Sequence, residues 1–128
     1  MRLLLDTHIA FWALADDRRL SVHARAAIAD PANEVYVSAA SIWEIAIKYA
    51  LGRGAIPFSA TAALGYFRQA GYLLLDVKPE HAVAVESLPP HHGDPFDRLL
   101  IAQALAEPLR LLTHDHALGA YSDTVMLV

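Results

Sequence analysis

The 128-residue chain has no cysteine, and only 19% of its residues are charged. Without thiols there is no disulfide, no thiolate metal site and no cysteine nucleophile, and a reducing compartment is compatible with the composition. Basic residues are also scarce: ten Lys and Arg against fourteen Asp and Glu give a formal charge of −4. That balance argues against a protein that grips nucleic acid by bulk positive charge. It leaves room for one whose acids gather around bound cations. No apolar run approaches the roughly 20 residues that cross a bilayer. The opening "MRLLLDTH" is broken by Asp6 after three leucines, so it does not read as a signal peptide. A cytoplasmic protein without a membrane partner is expected.

Hydrophobic residues make up 55% of the sequence, and the mean hydropathy is +0.31. That is apolar for a small domain, so part of the surface is expected to meet a partner. The length suits one domain, residues 1–128.

Along the chain, Arg2 to Leu5 reads as a short buried strand ending at Asp6, followed by a helical stretch through Ala10, Phe11 and Leu14. Ser21 is a natural cap for an alanine-rich helix from Val22 to about Ala29. "NEVYVS" is a second strand, and "SAASIWEIAIKYALGRG" a helix closed by Gly52 and Gly54. A helix from about Ser59 to Ala70, a strand "YLLLDV" and a helix from Pro79 to about Leu88 follow. After the break "PPHHG" come a helix opened by Asp94, a strand "LRLLT", a short turn or helix from Asp115 and a last strand near "TVMLV". Short apolar strands alternating with helices predict a parallel sheet covered on both faces. In such sheets ligands sit at the carboxyl ends of the strands.

The acids fall near those ends. Asp6 and Asp115 each follow a strand, and "HHGDPFDRLLIAQA" places Asp94 and Asp97 three residues apart at a helix start. Capping explains each one separately: Asp94 caps, Pro95 fits the first helical position and Asp97 favours the positive end of the helix. Glu44 has a similar account, because Ser41 to Glu44 matches a capping box and Glu44 with Lys48 is a favourable i,i+4 pair. On the helical wheel Ile42, Ile45, Ala46 and Tyr49 share the core side, which leaves Glu44 and Lys48 on another face. All these accounts must hold together, with every acid at a boundary that one sheet edge collects. Three or four carboxylates without cysteine suit a hard divalent ion, Mg²⁺ or Mn²⁺. Such an ion activates water and stabilises charge on a phosphodiester, so phosphodiester hydrolysis is the expected chemistry.

"LLLDTHIAFWAL", "VSAASIWEIAIK", "DPFDRLLIAQA" and "LLTHDHAL", in this order, resemble the PIN-domain family, in particular the VapC-like ribonuclease toxins of type II toxin–antitoxin systems. The resemblance covers the chain end to end. It implies a three-layer α/β/α fold with a central, mainly parallel twisted sheet of about four to five short strands. It implies a metal-dependent endoribonuclease acting on a structured RNA such as tRNA. The family's metal-site acids carry over onto Asp6, Glu44, Asp97 and Asp115, which leaves Asp94 as the cap. Asp6 and Asp97 are expected to ligate the ion, and Glu44 and Asp115 to hold metal or water. Thr7, Lys48, Arg98, His114 and His116 are candidates for contacting RNA or supporting the site, with surface ion pairing as the plainer role of Lys48 and Arg98. The resemblance also implies a VapB-like antitoxin lying over the active-site groove, a homodimer, and a larger assembly with the antitoxin. The helix in "FSATAALGYFRQAGY", with more apolar surface than one core face needs, agrees with the dimer.

Three other readings are weaker. A zinc or nickel centre built from His91, His92, His114 and His116 lacks supporting spacing. An aspartyl-phosphate phosphatase wants an acid two residues after Asp6, where His8 stands. A non-catalytic interaction module would use the acids only as caps, and its stability would not respond to Mg²⁺.

Overall fold

The structure, a computed structural model, describes residues 1–53 and 56–128, so Gly54, the second of the expected helix stops, lies outside the described residues. Its strands are β1 (Arg2–Leu5), β2 (Glu34–Ser38), β3 (Leu73–Leu75), β4 (Arg110–Thr113) and β5 (Val125–Leu127). The helices are α1 (Thr7–Ala15), α2 (Val22–Ala29), α3 (Ala39–Ala50), α4 (Ala60–Gln69), α5 (Pro79–Ala84) and α6 (Pro95–Ala106), with 3₁₀ turns at Val85–Ser87 and His116–Ala120.

All neighbouring strands pair in parallel, in the order β3-β2-β1-β4-β5. The chain therefore builds outward from β1 through β2 to β3, then crosses back to add β4 and β5 on the other side. The reversal falls between β1 and β4, and a parallel sheet opens a crevice at the carboxyl ends of such a strand pair. Asp6 and Asp115 follow those two strands.

The unbroken apolar run in β1 follows from burial on both faces. Leu3 and Leu5 pack with Ile9, Ile45 and Phe67 of α1, α3 and α4. Leu4, pointing the other way, packs with Leu100, Ile101 and Ala104 of α6. The expected α/β/α layering is thus met, with five strands.

Three local expectations are corrected. α3 begins at Ala39, capped by the Ser38 hydroxyl through the Ala40 N–H (3.0 Å), because the chain passes from β2 into the helix without a loop. Ser41 therefore sits inside the helix, buried, and accepts a hydrogen bond from the Thr7 hydroxyl at 2.9 Å. Ser41 and Glu44 form no capping box. Of the expected core side of α3, Ile45 is buried and Ile42 packs half-buried against the core, but Tyr49 is exposed, and Ser41 and Glu44 are buried as well, with Lys48 half-buried. The helix covers the polar carboxyl edge of the sheet, so its polar side turns inward. Finally, the helix from Pro79 ends at Ala84, and its last turn tightens to 3₁₀ geometry, with Leu88 N–H on the Val85 carbonyl (3.1 Å) ahead of Pro89 and Pro90.

The "FSATAALGYFRQAGY" segment is partly absorbed within the chain. Ala63 and Phe67 are buried, and Phe58 lies between Phe11 and Tyr66, with ring centroids 5.5 and 5.8 Å away. Tyr66 remains 46% exposed.

A buried polar clasp ties the layers together. Gln103 of α6 accepts from the Ser38 hydroxyl at 2.6 Å and donates to the Asp76 carbonyl at 3.2 Å, joining α6 to the ends of β2 and β3. Gln103→Ala removes the acceptor of the Ser38 hydroxyl hydrogen and the side-chain donor to the Asp76 carbonyl, and opens a cavity, so it is expected to destabilise the protein by about 2–3 kcal/mol. Urea unfolding of the variant measures this; a loss below about 0.5 kcal/mol would show that the clasp does not hold the layers.

Candidate active site

At the crevice, one hydroxyl joins the two central strands. Thr113, the last residue of β4, donates its hydroxyl hydrogen to Asp6 Oδ2, and its Oγ accepts the Asp115 N–H at 3.0 Å. The other Asp6 oxygen caps α1 through the Ile9 N–H at 2.8 Å. Asp6 is 3% exposed. Burial raises its pKa against the opposing effects of the Thr113 and Ile9 hydrogen bonds and of His8 and His114.

Asp115 also divides its oxygens. Oδ1 caps the following 3₁₀ turn through the Ala117 N–H (3.0 Å), and Oδ2 faces His92 Nε2 at 3.0 Å. Burial pushes its pKa up, but the Ala117 N–H and His92 outweigh that, and the result is lowered. The His92 ring has a defined tautomer: Nδ1 accepts the Asp94 N–H at 3.0 Å, so Nε2 carries the hydrogen and donates it to Asp115.

The Asp94 and Asp97 pair separates into two environments. Asp94 Oδ1 accepts the N–H groups of Phe96 (2.8 Å) and Asp97 (3.2 Å), so it is the cap of α6. Asp97 caps nothing. Its pKa is pushed up to about 7, first by burial and then by the charges of Asp94, Asp6 and Glu44, against a lowering by His92. Ligand atoms of His92, Asp97 and Asp115 lie within 4.8 Å of one another.

Glu44 is 4% exposed and sits mid-helix in α3. Lys48 Nζ reaches Oε2 at 2.6 Å, whereas Oε1 is buried and has no hydrogen-bond partner among the described residues. The i,i+4 pair therefore turns its Glu44 end inward, with Lys48 half-buried.

Asp6, Asp97 and Asp115 line one open cleft of about 680 Å³ with Asp94, His92, His114 and His116. Glu44 is not on its wall; its charge reaches the cleft through Asp97. Thr7 and Lys48 line a neighbouring recess of about 240 Å³. Arg98 holds the loop that carries His92. Its guanidinium donates to the carbonyls of Pro89, His92, Val85 and Leu88 and to the Tyr121 hydroxyl, a loop clamp instead of a surface ion pair or a free phosphate ligand. His91 packs edge-on against Tyr121 at 5.0 Å. Among the described residues, the four histidines of the zinc or nickel reading do not converge, and only His92 joins a candidate ligand group.

The donor set fits a hard divalent cation. Its carboxylates include Glu44 Oε1, buried and without a partner among the described residues, and Asp97, whose pKa is raised first by burial and then by the neighbouring acids, a cost that a cation would relieve. Capping accounts for Asp6, Asp94 and Asp115, but not for Asp97 or Glu44. Sequence reasoning missed Thr113 and the orienting position of His92; the signal for His92 was its place two residues before the cap Asp94.

Fold and cleft together define an α/β protein with an acid-lined crevice at the switch point of a parallel sheet. The chain belongs to the PIN domain family, whose sequence profile matches residues 3–123. It is 34% identical over 122 residues to Ribonuclease VapC22 of Mycobacterium tuberculosis, covering 93% of this chain and 91% of that protein. Its fold is similar to the VapBC2 complex of Rickettsia felis bound to a promoter DNA fragment, with a TM-score of 0.72 and 16% identity over 100% of this chain and 98% of that one. It is also similar to Mycobacterium tuberculosis VapC20, a sarcin-ricin loop cleaving toxin, with a TM-score of 0.64 and 18% identity over 94% and 97% of the two chains.

The raised pKa of Asp97 has a definite sign. Between its ordinary 3.8 and about 7 the folded state binds the proton that the unfolded chain releases, so stability falls as pH rises through that interval. Asp115, lowered from 3.8, contributes stability that is lost only below that interval. In EDTA the Tm is therefore expected to drop from pH 4.5 to 7.5, and Asp97→Asn to raise the Tm at pH 7.5 by about 3–6 °C. Mg²⁺ or Mn²⁺ should raise the wild-type Tm more than that of the variant. Differential scanning calorimetry across this range decides it; a flat wild-type profile with no response to metal would remove the crowded-carboxylate account.

Proposed function

We propose that this protein is a divalent-metal-dependent endoribonuclease, the toxin of a toxin–antitoxin pair, that hydrolyses phosphodiester bonds in a structured RNA such as tRNA. The observation that carries the reading is Asp97, a carboxyl that caps nothing: burial, and then the charges of Asp94, Asp6 and Glu44, raise it to about 7. Membership of the PIN domain family and the 34% identity to a ribonuclease support it.

In this reading Asp6, Asp97, Glu44 and Asp115 hold Mg²⁺ or Mn²⁺. A bound ion of this kind polarises the phosphate and lowers the pKa of water at the site. The chain's own groups do the positioning. Asp6 is immobilised from both sides by Ile9 and Thr113, so it offers oxygen at a fixed place. Glu44 keeps Oε1 unengaged while Lys48 anchors Oε2. Asp115 is oriented by the Nε2–H of His92. Hydrolysis forms a bond from water oxygen to phosphorus and breaks one ester P–O bond; a site carboxylate takes the water proton, and the leaving oxygen is protonated in return. His114 and His116, exposed on the cleft wall, face the RNA.

A VapB-like antitoxin is the proposed protein partner, covering the cleft. A homodimer, and a larger assembly with the antitoxin, are proposed from the exposed Trp43, Tyr49, Leu51 and Tyr66. No helix among the described residues is long and apolar enough to cross a membrane.

Purified protein with total tRNA in Mg²⁺ or Mn²⁺ tests the proposal. Discrete cuts, abolished by EDTA and reduced at least about a hundredfold by Asp97→Asn of verified fold, are the expected result. If wild-type protein neither cuts nor shows a metal-induced Tm shift, the acids are caps and the protein is a binding module.

A further inference from the structure

Beside the acid cleft, the turn after α1 holds one guanidinium over a tryptophan ring. Asp16 ends the helix in the left-handed region (φ 49°), its carboxylate paired with Arg25 of α2. Arg25 also donates to the Asp17 carbonyl at 2.8 Å, and the Asp17 N–H bonds the Trp12 carbonyl at 3.0 Å. The fixed Asp17 carboxylate then takes the Arg19 N–H, Nε–H and Nη2–H at 2.8, 3.0 and 2.8 Å. As a result the Arg19 guanidinium carbon lies 5.1 Å over the Trp12 ring.

Trp12 is a buried floor for more than Arg19. His114 packs on it with ring centroids 4.6 Å apart and His8 at 5.9 Å, and both imidazoles are exposed. The Arg19 side chain is 64% exposed, so its outer face is open, and among the described residues Nη1 has no acceptor. Exposed ion pairs contribute little to stability, which leaves this pinned geometry unexplained by folding alone.

Two cavities meet at this platform. His8, Trp12 and Arg19 line both the acid cleft and the recess of about 240 Å³ between α1 and α3. The recess is smaller than the roughly 300–1,000 Å³ of drug-sized sites and has an apolar wall that includes Phe11 and Ile45. Its two cationic residues, Arg19 and Lys48, are donors only, and no carboxylate is on its wall among the described residues. Proteins that read RNA splay unpaired bases onto aromatic rings and guanidinium planes, and donors of this type match adjacent acceptors such as O6 and N7 of guanine.

We propose that Arg19, held over the Trp12 ring and flanked by His8 and His114, forms with this recess a subsite for one unpaired nucleobase of the RNA, guanine by preference, next to the phosphate to be cut. The proposal rests on the ribonuclease reading for its substrate, but its test does not require cleavage. The chain has two tryptophans, so Trp43→Phe leaves Trp12 as the sole reporter. In EDTA, this protein is titrated with GMP, UMP and ribose 5-phosphate while tryptophan emission is followed. Saturable quenching is expected, tighter for GMP than for UMP and absent for ribose 5-phosphate. Arg19→Gln, with an unchanged circular dichroism spectrum, should weaken GMP about tenfold, and Arg19→Lys should not restore it, because the plane and not the charge is needed. The signal should persist in Asp97→Asn. An equal response to ribose 5-phosphate, or GMP binding indifferent to Arg19→Gln, overturns the subsite while leaving EDTA-sensitive cleavage standing. Loss of cleavage with quenching intact would instead overturn the nuclease reading.

Discussion

The Thr113 hydroxyl is the contact on which the site's geometry depends. It donates to Asp6 and accepts from the Asp115 N–H, so it joins the ends of β1 and β4 at the point where the sheet reverses its direction of growth. The Asp6 N–H bonding the Leu112 carbonyl at 3.0 Å closes the same junction through the backbone. Parallel strands alone would bring the two acids to one edge. The hydroxyl fixes which oxygen of Asp6 faces its neighbour and leaves the opposite oxygen on the helix cap.

A single physical economy runs through the rest of the cleft. A helix start presents unpaired N–H groups, and a carboxylate there satisfies them with one oxygen while the other is available for something else. Asp6 and Asp115 both divide their oxygens in this way. Capping and site chemistry are therefore not rival explanations for these residues. The discriminating residues are Asp97 and Glu44, which cap nothing: Asp97 is partly buried near the charges of Asp94, Asp6 and Glu44, and Glu44 keeps one buried oxygen without a partner among the described residues.

Support for the cleft comes from polar groups buried beneath it. Ser38 and Gln103 tie α6 to the sheet, Thr7 and Ser41 tie α1 to α3, and Arg98 gathers the carbonyls of the loop that carries His92. Each of these groups would be costly if left alone and is satisfied by its partner. They restrict the relative movement of the four elements that supply the acids.

The sequence by itself determined the alternation of strands and helices, the caps Ser21 and Asp94, and the parallel sheet, because these follow from local periodicity and from side chains acting on their own backbone. It also placed Asp6 and Asp115 at strand ends, since a strand's end is a local property. The tertiary structure alone decided that the polar face of α3 turns inward, burying Glu44 and exposing Tyr49, because that choice depends on which edge of the sheet the helix covers. It also decided that Arg98 clamps a loop and that His92 orients Asp115, contacts between residues 6 to 23 positions apart. The same holds for the placement of Arg19 over Trp12 between two cavities, since no periodicity in one segment records what another segment brings against it.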